Sequence, residues 1–414
     1  MDRRKLFIGA GLLVIVALLG YALYAVFFRV PEPTIPAPPS TSGTPPTPVE
    51  PLPVAPSGQP IPVSPGGLTP VTGAPTAAPT AAVLPTTANG GRTATPALTV
   101  TPAAFTRVAP DGRPQYYDVT TEQFYRVERD GTARALSEQT FPNARTIAWA
   151  PNADRAIIEF PDGANIFYDF ATDRQVTLPA HWTAFSFSGR GDRIAGLTLD
   201  LDQENRFLFE ADPDGGNFRP LEPLGANADK VTVSFSPNEQ IIAFSRTGRA
   251  IGGLRQFILP IGRNRENFAG LTVEGFDFRP SWSPDGQHLL YSAVHDTNDY
   301  KPELWIVDGS GDRIGENRRR LHVDTWADKC VFGSNTTLFC AVPDTLQRGY
   351  GLQPELADTV PDTIERIDLV SGARHVVGRP EDATSIQQLT VSPDGATLYF
   401  VAQRDGLLHE MQLR

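Results

Sequence analysis

The sequence predicts an all-β fold, a seven-bladed β-propeller of four-stranded blades, with six blades as the alternative count. Three observations carry this. SWSPDGQHLLY at 281–291 and TVSPDGATLYF at 390–400 share one frame: an apolar residue, Ser-Pro-Asp-Gly, two variable residues and an apolar run. Variants of the frame recur at seven anchors, Val108, Trp149, Phe187, Phe235, Trp282, Val331 and Val391, spaced 38 to 60 residues apart. That spacing centres on the ~40–50 residues of a propeller blade. Most units also carry a second alternating hairpin, such as NIFYDFATDRQVTL and TIERIDLVSGARHVV.

Each element follows from local chemistry. Pro284 presets φ, and Asp285-Gly286 supplies the positive-φ residues of a tight reversal. Trp282 before the turn and Leu289-Leu290-Tyr291 after it suit half-buried strands. The first hairpin of each unit is therefore strands A and B. The second hairpin is C and D; in the fifth unit it is ELWIVDGSGDRI. After Val391 the chain has room for A, B and C only, so residues 92–104 are expected to donate the strand that closes the ring and removes an exposed edge. Two stacked sandwiches are the competing fold, but sandwiches do not need a repeating frame.

The Ser-Pro-Asp-Gly turn at 283–286, with Leu289-Leu290-Tyr291-Ser292 and Glu303-Leu304-Trp305-Ile306-Val307-Asp308 after it, resembles the WD-like propeller repeat of TolB-type periplasmic proteins. It is equally similar to the propeller domain of prolyl-oligopeptidase-type peptidases. Val391-Ser392-Pro393-Asp394-Gly395 with Leu398-Tyr399-Phe400 matches as well. The resemblance spans roughly 105–414 and implies a fold that hosts many functions. No Gly-x-Ser-x-Gly elbow occurs, so the peptidase half of the resemblance has no counterpart.

Three domains are expected: an anchor at 1–30, a linker at 31–102 and the propeller at 103–414. Residues 6–28 are apolar and uncharged behind Arg3, Arg4 and Lys5. At ~1.5 Å per residue this run crosses a bilayer core of about 30 Å. The basic head places the N-terminus in the cytoplasm and the propeller outside it, at the cell surface or in the periplasm. A signal peptide cleaved near Ala25 is the alternative. The linker is rich in Pro, Thr, Ala and Gly and holds about half of the chain's 39 prolines. Such a composition buries too little apolar surface to fold, which suits an extended stalk.

Pairing Phe332 with Leu338 puts Cys330 opposite Cys340, and directly opposed cysteines can bridge; a disulfide is expected. The six histidines form no His-x-His or His-Glu-x-x-His pair, and the oxygen-rich loops at 200–205 and 212–217 lack EF-hand spacing. No metal or cofactor is expected. The net charge of −11 lies almost wholly in the propeller and argues against nucleic acid. Arg318-Arg319-Arg320 reads as a solvated edge on an outer strand.

With strand A innermost, the D–A and B–C loops gather at one mouth, opposite the Ser-Pro-Asp-Gly turns. The longest B–C insertion, 343–362, lies there, as do His181, Trp182, Asp277, Arg279, His295, Tyr300, Trp326, Asp328 and Tyr350. Exposed aromatics with Arg and acidic neighbours suit recognition of a protein partner at the envelope, with a small molecule or glycan also open. The enzymatic alternative is a lactone or glycoside hydrolase using Asp277, Asp328 and His295 as acid–base groups. Packing of Trp182 and Trp326 between blades is the plain structural reading of those two residues.

Overall fold

A computed structural model describes Tyr21 and residues 83–414, apart from 250, 253 and 267. Seven antiparallel sheets, each in sequence order A-B-C-D, make the ring; six have four strands and the last has three. The A strands are Ala103–Val108, Thr146–Trp149, Trp182–Phe187, Val231–Val233, Phe276–Trp282, Cys330–Ser334 and Ile386–Val391. They are innermost, and the first packs on the last. The expected count of seven holds. The anchor span and the linker up to residue 82 lie outside the described residues, Tyr21 excepted. Among the described residues no helix is long and apolar enough to cross a membrane.

The repeated frame works through its serine as much as through its Pro and Gly. Ser283 is fully buried; its Oγ donates to Asp285 Oδ1 at 2.7 Å and accepts from the His288 N–H at 2.9 Å. Asp285 accepts in turn from the Gln287 N–H at 3.0 Å. Ser392 and Asp394 repeat the arrangement, and Ser236 does so with Asn238. Gly286 sits at φ 67°, where a Cβ would come within 2.8 Å of the Asn238 backbone nitrogen. Turns that carry Asn instead of Asp use the amide to reach the next blade. Asn152 donates to Gly189 O at 2.9 Å and Asn238 to Gly286 O at 2.8 Å. The sixth copy differs: its strand A runs on to Ser334, so Val331 lies mid-strand opposite Phe339 instead of ending the strand.

Anchors pack as core and also join neighbours. Trp282 stacks on Phe244 of blade four and donates its indole N–H to Ser234 Oγ at 3.0 Å; Trp149 donates to Phe105 O of blade one at 2.8 Å. The second hairpins form as expected except in blade five. There Gly311–Arg313 is a 3-10 turn, and strand D is only Arg319–Arg320. The three arginines do lie at the outer edge, with Arg318 exposed, but each is also engaged by a partner. Arg318 pairs with Glu274 of blade four at 3.0 Å and lies over Trp305, Arg320 pairs with Glu303, and Arg319 donates to Leu369 O of blade six. A guanidinium offers five donors in a rigid fork, so three in a row staple three blades.

Closure comes from the N-terminal side but not as a regular strand. Thr87 bridges Gln412 in parallel, Ala97 bridges His409 antiparallel, and Arg92 bridges Arg379 of blade six. The segment begins near Thr87, upstream of the expected 92, and residues from 103 already form strand A of blade one. Prolines 85 and 96 and the diversion to blade six break the ladder into isolated bridges. Thr87 enters beside the end of strand C, on the turn face, and Leu98 leaves beside Leu408 at the mouth.

Candidate functional site

The mouth is shaped by bulges that the sequence does not announce. In blades one, three, five and seven, strand A carries one extra residue against strand B. Each insertion holds a non-glycine residue in the left-handed region: Phe105, Ala184, Asp277 and Gln388, at φ between 51° and 57°. Such a conformation costs on the order of 1 kcal/mol and re-aims the side chains around it.

In blade five the bulge brings Asp277 onto Arg279, whose Nε lies 2.9 Å from Asp277 Oδ2. Arg279 Nη1 lies 2.9 Å from Asp328 Oδ2 of blade six, and the guanidinium sits 6.0 Å from the Trp326 ring. Burial works against charge on Arg279, yet the bonds to Asp277 and the nearby Asp328 hold it above the ordinary arginine value. Arg279, Trp326 and Asp328 wall a hollow of about 300 Å³ together with Lys329, Pro354, Asp358 and Gln387. Lys329 Nζ reaches Asp362 Oδ2 at 2.7 Å and Ser385 Oγ at 3.1 Å, and the Ile386 N–H donates to the same carboxylate oxygen at 2.6 Å. Burial pushes the Asp362 carboxyl up, against the pull of Lys329. The Trp326 indole N–H and Asp362 Oδ1 are buried without a partner among the described residues.

The 343–362 insertion folds as two 3-10 segments, Tyr350–Leu352 and Pro354–Thr359. It leans on the B–C loop of blade five: Gly351 N–H donates to Tyr300 O at 2.9 Å and Gly349 N–H to Asp299 O at 2.8 Å. A Cβ on Gly351 would meet Val294 Cγ2 at 2.6 Å, so the fit is close.

Arg279, Trp326 and Asp328 therefore meet, with Asp277 behind them, while the other expected residues stand elsewhere. His181 is exposed at the rim of a second hollow of about 330 Å³ between blades two and three, which Trp182 also lines. Both tryptophans are buried, at 5% and 3% exposure, so neither offers a free aromatic face. The physical reason at Trp182 is its stack on Phe209 and Phe218, at 4.2 and 5.2 Å between ring centres. His295 is buried, with Nε2 3.0 Å from Glu303 and Nδ1 2.6 Å from Thr297, apart from the Arg279 hollow. Tyr300 and Tyr350 are half-buried at the joint between insertion and blade five. Asp277 and Asp328 share one guanidinium. Lys329, Asp358 and Asp362 escaped sequence reasoning; the available signal was Asp362, where alternation resumes after the insertion.

Elsewhere, the oxygen-rich turn at 212–217 is closed internally: Asp212 pairs with Arg193 at 2.6 Å and Asp214 with Arg174 at 3.0 Å. Cys330 and Cys340 are bonded in the expected register, Cα atoms 4.1 Å apart.

Fold and mouth together define a seven-bladed propeller with a side-chain-walled central opening. No protein-family model matches the chain, and no curated protein matches its sequence. Solved structures match in fold. An oligogalacturonate lyase from Vibrio parahaemolyticus has a TM-score of 0.53 at 9% identity, over 77% of this chain and 93% of that one. The Cps50 (Swd1) propeller domain of Myceliophteria thermophila gives 0.52 at 12%, over 77% and 98%. Tricorn protease gives 0.50 at 12%, over 75% of this chain, which spans only 33% of the protease. At such identities the likeness is one of fold alone.

Proposed function

We propose that the chain is a membrane-tethered, extracytoplasmic propeller that works as a non-catalytic binding module and takes a protein partner on its mouth face. The observation that carries this is the distribution of exposed large apolar side chains. Val119, Leu199, Leu201, Leu254, Phe276, Leu352 and Leu356 all belong to loops or strand ends at the mouth, with Leu201 at 99% exposure. Among the described residues the turn side has fewer, Phe218, Val370 and Val376, with Val83 ahead of the closing segment. Apolar side chains gathered on one face of a soluble domain mark an interaction surface. The hollow around Arg279 lies inside that ring of loops, and arginine is a favoured anchor at interfaces. The chain joins the propeller on the opposite, turn face, at Thr87.

The test is capture from the native envelope by the full chain in detergent, beside Leu201→Asp/Leu356→Asp and the turn-face variant Val370→Asp. A partner retained by wild type and Val370→Asp and lost by the mouth variant is the expected result. Retention by the mouth variant, or no partner at all, would overturn the reading.

A further inference from the structure

A second kind of site stands where the ring closes. Between blades six and seven, toward the turn face, lies a hollow of about 440 Å³, within the size range of small-ligand sites. Its origin is a change in one cross-strand row. In blade five the row facing the next blade is Leu290, Ile306 and Arg319, with Ile306 in the apolar cluster shared with blade six. The equivalent row of blade six is Phe339, Arg366 and His375. A guanidinium thus stands where an isoleucine would seal the junction. Across from it, blade seven offers no regular fourth strand, only Ala88, Asn89 and Gly90 of the closing segment with Leu413 and Arg414.

The lining is cationic in a chain of net charge −11. Arg366 and His375 have no side-chain hydrogen bond or ion pair among the described residues, and Arg414 donates to the backbone carbonyl of Asp394. Asp394, the one side-chain carboxylate in the wall, is exposed; its Oδ1 accepts from Ser392 Oγ at 2.6 Å and from the Ala396 N–H at 2.9 Å, and Arg414 lies near enough to help hold it below the usual carboxylate range. The forked guanidinium of Arg366 matches carboxylate and phosphate oxygens.

We infer that this seam hollow binds a small oxyanion, a polycarboxylate or a phosphate, anchored by Arg366 with Arg414 and His375 beside it. The ligand would bridge blade six to the closing segment and to Arg414, and so lock the closure. Binding only the closed ring, it raises the melting temperature by mass action.

The test is titration calorimetry of the full chain in detergent with citrate and, separately, inorganic phosphate, ionic strength being held constant with chloride. Saturable binding of either anion is expected, and which one binds assigns the chemistry. Arg366→Ala should weaken it about tenfold or more, the loss of one charge-assisted contact. Arg366→Lys should retain part of it, and Arg129→Ala, on an exposed turn of blade one, should leave it unchanged. Melting curves without anion establish that each variant is folded. No saturable heat with either anion, or wild-type affinity in folded Arg366→Ala, would overturn the site.

Discussion

The junction between blades five and six and the seam between six and seven are built from one repeat, yet they are held differently. At the first, Leu290, Leu304 and Ile306 interleave with Leu338, Cys340 and Ile367, and Arg319 reaches over to Leu369. At the second, an apolar floor of Phe339, Ile364, Ile386, Leu398 and Phe400 remains. Its upper wall is the buried Lys329–Asp362 pair, and its outer edge is a set of isolated bridges. At the first junction apolar packing spans the row between the blades, while at the second, beside the closing segment that edges blade seven, polar contacts replace part of it. Such contacts are directional and tolerate few alternatives, whereas apolar packing is permissive.

Four measurements would break or sharpen this contrast, and chemical denaturation of the full chain serves for all of them. Trp282→Ala, which removes an aromatic stack and an inter-blade hydrogen bond within the continuous part of the ring, should cost about 4 kcal/mol. Lys329→Ala at the seam should cost about 3 kcal/mol, because Asp362 is left buried without its counter-charge. Adding Asp362→Asn should recover part of that loss; a double variant no better than the single one would mean the pair does not carry the seam. Replacing both cysteines by serine should cost about 2.5 kcal/mol, as expected for a crosslink at a sequence separation of 10.

The smallest effect concerns Glu210, which joins blades three and four. Burial opposes its charge, but Arg263 and Arg219 outweigh it and hold the carboxyl below its ordinary value. A depressed carboxylate contributes stability above its unfolded pKa of about 4.3, and that contribution is lost as pH falls through the folded value. Glu210→Gln should therefore cost about 2 kcal/mol at pH 7, with the gap to wild type closing below about pH 4. A gap independent of pH would mean the glutamate acts by packing alone.

The ring was legible because its signal is local. Pro284, Asp285 and Gly286 set a turn wherever they occur, and two opposed cysteines fix a register by position alone. What escaped depends on partners distant in sequence. Where the turn carries a serine, at Ser188, Ser236, Ser283 and Ser392, its hydroxyl accepts from an N–H five residues on, a contact the frame alone does not reveal. Nothing in Asp277 or Gln388 signals a left-handed bulge, since neither is glycine, and those bulges are what aim the mouth. For Trp182 and Trp326 the sequence leaves exposure at the mouth and packing between blades both open, because burial depends on Phe218 and Arg279 coming alongside. Arg318 to Arg320 looked like an edge because the strand is outermost; their partners sit on blades four and six.

The closing segment has a mechanical consequence. Thr87 runs parallel to Gln412, and only a few bridges separate it from the first regular strand. Any pull delivered through the chain that precedes it arrives at the ring's one non-covalent joint, before it can load a continuous blade. The first rupture under tension is then the peeling of residues 87–98, which uncovers strand C of the last blade while the other six sheets keep their pairing.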